Sequence, residues 1–144
     1  MGDNGKRSSR GSFTCICCGL AVVDQRYSGD RKFCSNSCQM NANLQESFEA
    51  WISGQAGCVG IKRLRRLVEK RDGYSCSSCG IDEWNGSRIS LEVEHKDGDS
   101  SNNSPSNVCF LCPNCHSQTE TFKVKNKGNG RHARRERYSM GLSY

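Results

Sequence analysis

The sequence has no long apolar run and little apolar material of any kind. Hydrophobic residues make up 34% of the 144, and no stretch approaches the roughly 20 residues needed to cross a bilayer. No membrane partner is expected, and a core drawn from so few apolar residues is marginal without a staple. The amino terminus likewise has no apolar h-region: Met1 to Ser12 is made of Gly, Ser, Asp, Asn, Lys and Arg after its methionine. A secretory signal is therefore not expected there, and a reducing cytoplasm is the expected compartment. Residues 1–12 read as a flexible basic arm, since nothing in them buries enough surface to offset the entropy of ordering.

What the chain does have is cysteine, eleven in all. In a reducing compartment, thiols in CxxC pairs are expected to hold zinc rather than form disulfides, and an odd total argues against complete pairing. Charge is the second signal. Lys123, Lys125, Lys127, Arg131, Arg134, Arg135 and Arg137 stand against Glu136 alone, so residues 123–137 carry the whole formal charge of +6. Such a segment attracts polyanions by releasing their counterions, which makes nucleic acid the expected partner, the alternative being a solvated tail that only aids solubility.

Periodicity supplies the rest of the outline. Leu44, Phe48, Trp51 and Ile52 fall on one stripe of a helix over about 37–53, and Ile61, Leu64, Leu67 and Val68 on one stripe of a second helix over about 61–71. The second carries six cations whose role, phosphate contact or ordinary exposed surface, the pattern leaves open. Ile89 to His95 alternates as a strand, with Ser90, Glu92 and Glu94 on one face and Ile89, Leu91 and Val93 on the other. A polar loop over 97–107 leads to a short apolar strand, Val108 to Leu111, and a final helix over about 114–123. Trp84 is expected to pack over the neighbouring cysteine turn. The loop mimics the opening of a calcium-binding loop, but its sixth position is Asn102 rather than glycine and its twelfth is Val108 rather than glutamate, so calcium is rejected.

A CxxC turn offers two zinc ligands from one tight bend, and two such turns close a tetrahedral site. Cys76, Cys79, Cys112 and Cys115 fit that pattern, and Cys15, Cys18, Cys34 and Cys38 make a second set in which Cys17 competes with Cys15 or Cys18. Two structural zinc ions are expected, with Cys17, Cys58 and Cys109 left as ordinary thiols.

Between and beside the second pair of turns lie Glu94-His95, Asn107 and His116. With Cys76-x-x-Cys79-Gly80, Glu83-Trp84-Asn85-Gly86, Leu91-Glu-Val-Glu94-His95, Asn107-Val108 and Leu111-Cys112-Pro-Asn-Cys115-His116-Ser-Gln-Thr119, this segment resembles the HNH, or ββα-metal, endonuclease family, in particular the HNH endonucleases of bacteriophages. The resemblance covers about 61–126. It implies a small α+β, zinc-stabilised fold: an HNH, treble-clef-like domain over 57–126, preceded by a zinc-ribbon or treble-clef-like module over 13–56 and followed by a basic tail over 127–144.

For function, the resemblance implies hydrolysis of DNA phosphodiesters to 5′-phosphate and 3′-hydroxyl ends. Glu94 and His116 would hold one catalytic divalent cation, Mg²⁺ or Mn²⁺ with other transition metals open. His95 would be the general base, and Asn107 would orient its loop. Glu94 stands where aspartate is commoner, which bears on metal preference. The implied setting is the cytoplasm of a phage-infected bacterium, with other phage proteins as further partners. The alternative from another class is a noncatalytic two-zinc DNA-binding regulator.

Overall fold

Two CxxCG segments, Cys15 to Gly19 and Cys76 to Gly80, fold into the same turn and dictate the layout around them. The structure is a computed structural model that describes residues 11–24, 30–123 and 131–142, with the side chains of Asp24, Arg131 and Arg134 outside the description. Gly19 N donates to Cys15 O at 2.9 Å and Gly80 N to Cys76 O at 2.8 Å. Cys15 N and Cys76 N in turn donate to Leu20 O and Ile81 O, each at 2.9 Å. Both glycines have positive φ, 72° and 75°, which a side chain would resist. Even the next tie matches: Ile16 N reaches Lys32 O and Ser77 N reaches Phe110 O, in each case two residues before the third cysteine of a set.

By contacts the chain divides into two units, Met1–Glu46 and Ser47–Tyr144, with the division falling inside the first helix. In the first unit, β1 (Gly11–Thr14) pairs antiparallel with β2 (Ala21–Asp24) across the turn, Thr14 opposite Ala21. Helix α1 (Asn36–Ile52) starts inside the second cysteine pair, close to its expected bounds.

The second unit contains α2 (Ile61–Asp72), the hairpin β3 (Glu83–Trp84) and β4 (Ser87–Arg88), then β5 (Glu92–His95), β6 (Val108–Leu111), α3 (Pro113–Gln118) and α4 (Arg131–Ser139). The β3–β4 turn is Asn85-Gly86, both at positive φ (51° and 73°), the pairing that matches the twist of a two-residue hairpin. Among the described residues no helix is long and apolar enough to cross a membrane.

Three expectations need correction. The strand expected over Ile89 to His95 forms only from Glu92, because the backbone before it is claimed elsewhere: the Tyr74 hydroxyl donates to Ile89 O at 2.9 Å and accepts from Leu91 N at 3.3 Å. The final helix stops at Gln118 instead of 123; Thr119 is extended, and the chain then turns so that Thr121 donates to the Glu94 carboxylate. Trp84 does not cover the cysteine turn but is 62% exposed on its hairpin. Part of the basic tail is helical, as α4, for which the sequence had given no periodic apolar signal.

The core of the second unit is a layer of α2 on β6. Leu64, Leu67 and Val68 of the helix and Leu91, Val108 and Phe110 of the strand side are buried, with Tyr74 tilted against Phe110 at 5.7 Å between ring centres. Ile61 and Ile52, each placed on an apolar stripe by sequence, are exposed. The cations of α2 divide into two groups. Arg65 lies over Phe110, Lys70 over Phe48 and Arg71 over Trp51, with 5.6, 5.4 and 5.2 Å to the ring centres. Arg71 goes further: its guanidinium donates to Pro105 O and, at 2.8 Å, to Val108 O, and so holds the loop before β6 against the helix. Lys62, Arg63 and Arg66 are exposed.

The two cysteine sets are the other staple. The ligand atoms of Cys15, Cys18, Cys34 and Cys38, and those of Cys76, Cys79, Cys112 and Cys115, all lie within 4.8 Å of one another within their set. The sulfur pairs Cys18–Cys34 (3.6 Å), Cys34–Cys38 (3.4 Å) and Cys79–Cys112 (3.8 Å) are close to the roughly 3.8 Å edge of a tetrahedron with 2.3 Å zinc–sulfur bonds. Both sets can hold zinc; Cys17 and Cys58 are exposed and belong to neither.

Backbone dipoles already favour one thiolate in each set. Cys15 is lowered to about 6, chiefly by the backbone N–H of Cys34. Burial pushes Cys76 up, but the N–H groups of Cys112, Cys79 and Ser78 prevail and bring it to about 6. Cys34 is pushed up to about 12, chiefly by its thiol contacts with Cys38 and Cys18.

Two outcomes are expected. Arg71→Ala should cost about 2–3 kcal/mol, read as a lower urea midpoint, because two carbonyls lose a charged donor, whereas Arg66→Ala should stay within about 0.5 kcal/mol. Zinc measured per chain should fall from two ions to one in Cys34→Ser and in Cys76→Ser, and remain at two in Cys17→Ser and Cys58→Ser.

Candidate active site

Strand register builds this site. In the antiparallel β5–β6 pair Glu92 lies opposite Leu111, Glu94 opposite Cys109 and His95 opposite Val108. Alternate residues of a strand share a face, so Glu92 and Glu94 point the same way. The chain leaves β6 at Leu111, turns at Cys112, whose sulfur accepts from Cys115 N at 3.4 Å, and enters α3 at Pro113. That short helix brings His116 back over the two carboxylates.

The His116 ring is held on three sides. Its Nε2 lies 2.9 Å from Glu94 Oε2 and its Nδ1 contacts Glu92 Oε2, while Phe122 meets the ring edge-on at 5.1 Å between centres. Glu94 is buried, and its second oxygen, Oε1, accepts from the Thr121 hydroxyl. One oxygen of Glu94 and one nitrogen of His116 are thus left converging. Two donors of one octahedral cation at about 2.1 Å stand about 3 Å apart, so this pair fits a small divalent ion. The nitrogens of His116 face these carboxylates and not the neighbouring cysteine sulfurs, as a spare zinc ligand would.

His95 closes β5, and its Nε2 lies 2.8 Å from Asn103 Oδ1. Asn103 is itself clamped: its Nδ2 donates to Val59 O at 3.0 Å, and the Trp51 indole N–H donates to its backbone carbonyl at 2.6 Å. Because the amide nitrogen is committed to Val59, the oxygen must face the imidazole, which makes His95 Nε2 the protonated nitrogen and leaves Nδ1 as the basic one. Asn107, buried, ties the start of the loop to its middle: Oδ1 accepts from Asp97 N (3.1 Å), and Nδ2 donates to Asp97 Oδ1 (2.8 Å) and Asn102 O (2.7 Å).

The loop carboxylates serve the loop. Burial would raise Asp97, but hydrogen bonds from Asn102, Asn107 and the backbone of Asp99 hold it below the usual carboxylate range. Asp99 is lowered chiefly by the Ser101 hydroxyl and backbone, with Arg137 adding a smaller effect.

His95, Glu94 and His116 open onto one cleft of about 1640 Å³, whose wall also includes Lys123, His132 and Arg135. It is larger than the few hundred to about 1,000 Å³ usual for a small-molecule pocket, and its added charge is positive. Of the seven cations expected to meet DNA, Lys123 and Arg135 line this cleft and Arg137 acts on Asp99. Lys125, Lys127 and the side chains of Arg131 and Arg134 lie outside the described residues.

Sequence reading thus named Glu94, His95, Asn107 and His116 and missed Glu92, Asn103 and Thr121. The two-residue strand period was a usable signal for Glu92. Asn103 and Thr121 lie in irregular backbone, where no period points to a partner.

No protein-family model and no solved structure matches the chain. Among curated proteins, H-N-H endonuclease F-TflIV of Escherichia phage T5 is 49% identical over 55 residues, 38% of this chain. The match spans about a quarter of that protein's length, 24%. Over those 55 residues the chain is similar to an H-N-H endonuclease.

Proposed function

We propose that this chain is a divalent-metal-dependent DNA endonuclease of ββα-metal architecture, with β5, β6 and α3 as the ββα element. The observation that carries the reading is the convergence of Glu94 Oε2 and His116 Nε2, 2.9 Å apart, on a cleft that also exposes His95. Residues 13–56 are read as a second, zinc-ribbon or treble-clef-like module and the cationic segment from Lys123 onward as a DNA contact. The similarity to the phage H-N-H endonuclease supports the reaction class.

In this reading DNA lies in the cleft with a phosphate near Glu94 and His116, and Lys123 and Arg135 offset the charge of the backbone. His95 Nδ1 takes the proton of a water that attacks phosphorus, while Nε2–H remains on Asn103. The P–O3′ bond breaks and the departing 3′-oxygen takes a proton from a solvent water, leaving a 5′-phosphate and a 3′-hydroxyl. A divalent cation held by Glu94 and His116 would supply positive charge to the phosphoryl oxygens and to the departing 3′-oxygen. Asn107 keeps the 97–102 loop in place so that Asn103 meets the His95 ring.

Cleavage of supercoiled plasmid by zinc-loaded protein with added Mg²⁺ or Mn²⁺ tests this. His95→Ala should cut about 10²- to 10⁴-fold more slowly, with zinc content and DNA affinity unchanged. Asn103→Ala should lower kcat by about 10- to 100-fold with little change in KM, since it misplaces the base without touching the substrate. Folded, DNA-binding protein that cuts neither single- nor double-stranded DNA with any divalent metal would overturn the reading in favour of a noncatalytic two-zinc regulator.

A further inference from the structure

Glu92 has no role in the chemistry set out above, yet it makes a direct contact with a residue that does. Its carboxylate meets His116 Nδ1, while Glu94 meets Nε2 across 2.9 Å. The two nitrogens lie on different edges of the imidazole, so Glu94 and His116 Nε2 would hold a cation on the side of the ring away from Glu92. Among the described residues, the groups of three or more Cys, His, Asp or Glu whose donor atoms all lie within 4.8 Å of one another are the two cysteine sets. Glu92, Glu94 and His116 do not form such a group, which argues against Glu92 as a third ligand. Burial separates the two acids as well, the Glu92 side chain being 50% exposed and that of Glu94 8%.

We propose that Glu92 is a positioning residue for the metal ligand His116, its carboxylate fixing the imidazole with the proton on Nδ1 and the lone pair of Nε2 aimed at the cation. The inference rests on the reading of Glu94 and His116 as a cation site. An imidazole offers a metal one nitrogen only when the proton is on the other, and an acceptor at Nδ1 selects that tautomer while raising the basicity of Nε2. Strand geometry makes this arrangement available at no cost in backbone: Glu92 and Glu94 stand two residues apart on one face of β5, and one α3 residue spans both. Phe122 against the ring edge limits its rotation, so the two carboxylates hold a ring whose plane is already set.

The test is Mn²⁺ binding to zinc-loaded protein by calorimetry, with ¹⁵N NMR of the His116 ring, in wild type, Glu92→Ala, Glu92→Gln, Glu94→Gln and His116→Ala. Removal of a carboxylate behind a ligating histidine typically weakens binding about 10- to 100-fold, and Glu92→Ala should do so while zinc content is unchanged. Glu92→Gln keeps an acceptor oxygen and should recover most of that loss. Glu94→Gln and His116→Ala should bind no Mn²⁺ at the site. The ring shifts should report a proton on Nδ1 in wild type and a mixture of tautomers in Glu92→Ala. Wild-type affinity in Glu92→Ala would overturn the positioning role and leave the cation site standing. A loss in Glu92→Gln as complete as in Glu94→Gln would make Glu92 a ligand instead and overturn it too. Absence of Mn²⁺ binding in wild type would overturn both this inference and the cation site beneath it.

Discussion

Cys112 is the residue after β6, the N-cap of α3 and a member of a four-cysteine set, so its position decides where the chain may turn. Placed within 4.8 Å of three other sulfurs, it leaves Pro113 to open a helix that runs back across β5. His116 then arrives one turn later, within reach of Glu92 and Glu94. Ser77 N on Phe110 O fixes the first cysteine turn to the same strand two residues earlier. A helix of six residues has little stability of its own. Its place comes from the sulfur cap, the proline at its start and the ring of Phe122 beyond its end.

The loop between β5 and β6 solves a different problem, that of keeping the twelve mostly polar residues 96–107 in one conformation without a regular element. Asparagine does most of it. Asn107 spans the loop from the side, and Asn103 is held at its amide by Val59 and at its carbonyl by Trp51. Arg71 anchors the end of the loop through Pro105 O and Val108 O. Residues far apart in the chain, at 51, 59 and 71, therefore converge on the segment that presents His95.

The sequence was legible where chemistry depends on local spacing. The cysteine turns could be read because two ligands per turn is a short-range fact, and Glu94-His95 and His116 could be singled out because they stand in a short motif that resembles that of the HNH family. Helix α2 was legible from its apolar stripe, although Ile61 at its start is exposed. What could not be read depends on contacts between distant parts of the chain. The start of β5 is set by Tyr74, the end of α3 by Thr121, and the partner of His95 by Asn103. The cations of α2 show the same limit: a count gives six, but whether each meets solvent, a ring or a carbonyl is a matter of tertiary placement.

The hydrogen bond from Thr121 to Glu94 also bears on the choice between cations of equal charge. With Oε1 engaged by that hydroxyl, Glu94 would offer a cation in the proposed site mainly its other oxygen, as a single-point ligand. Calcium favours six to eight oxygens and readily takes both from one carboxylate, whereas a smaller ion is satisfied by a few fixed donors and keeps several waters. In the proposed cation site, one threonine hydroxyl would thus tilt the preference toward small, octahedral ions.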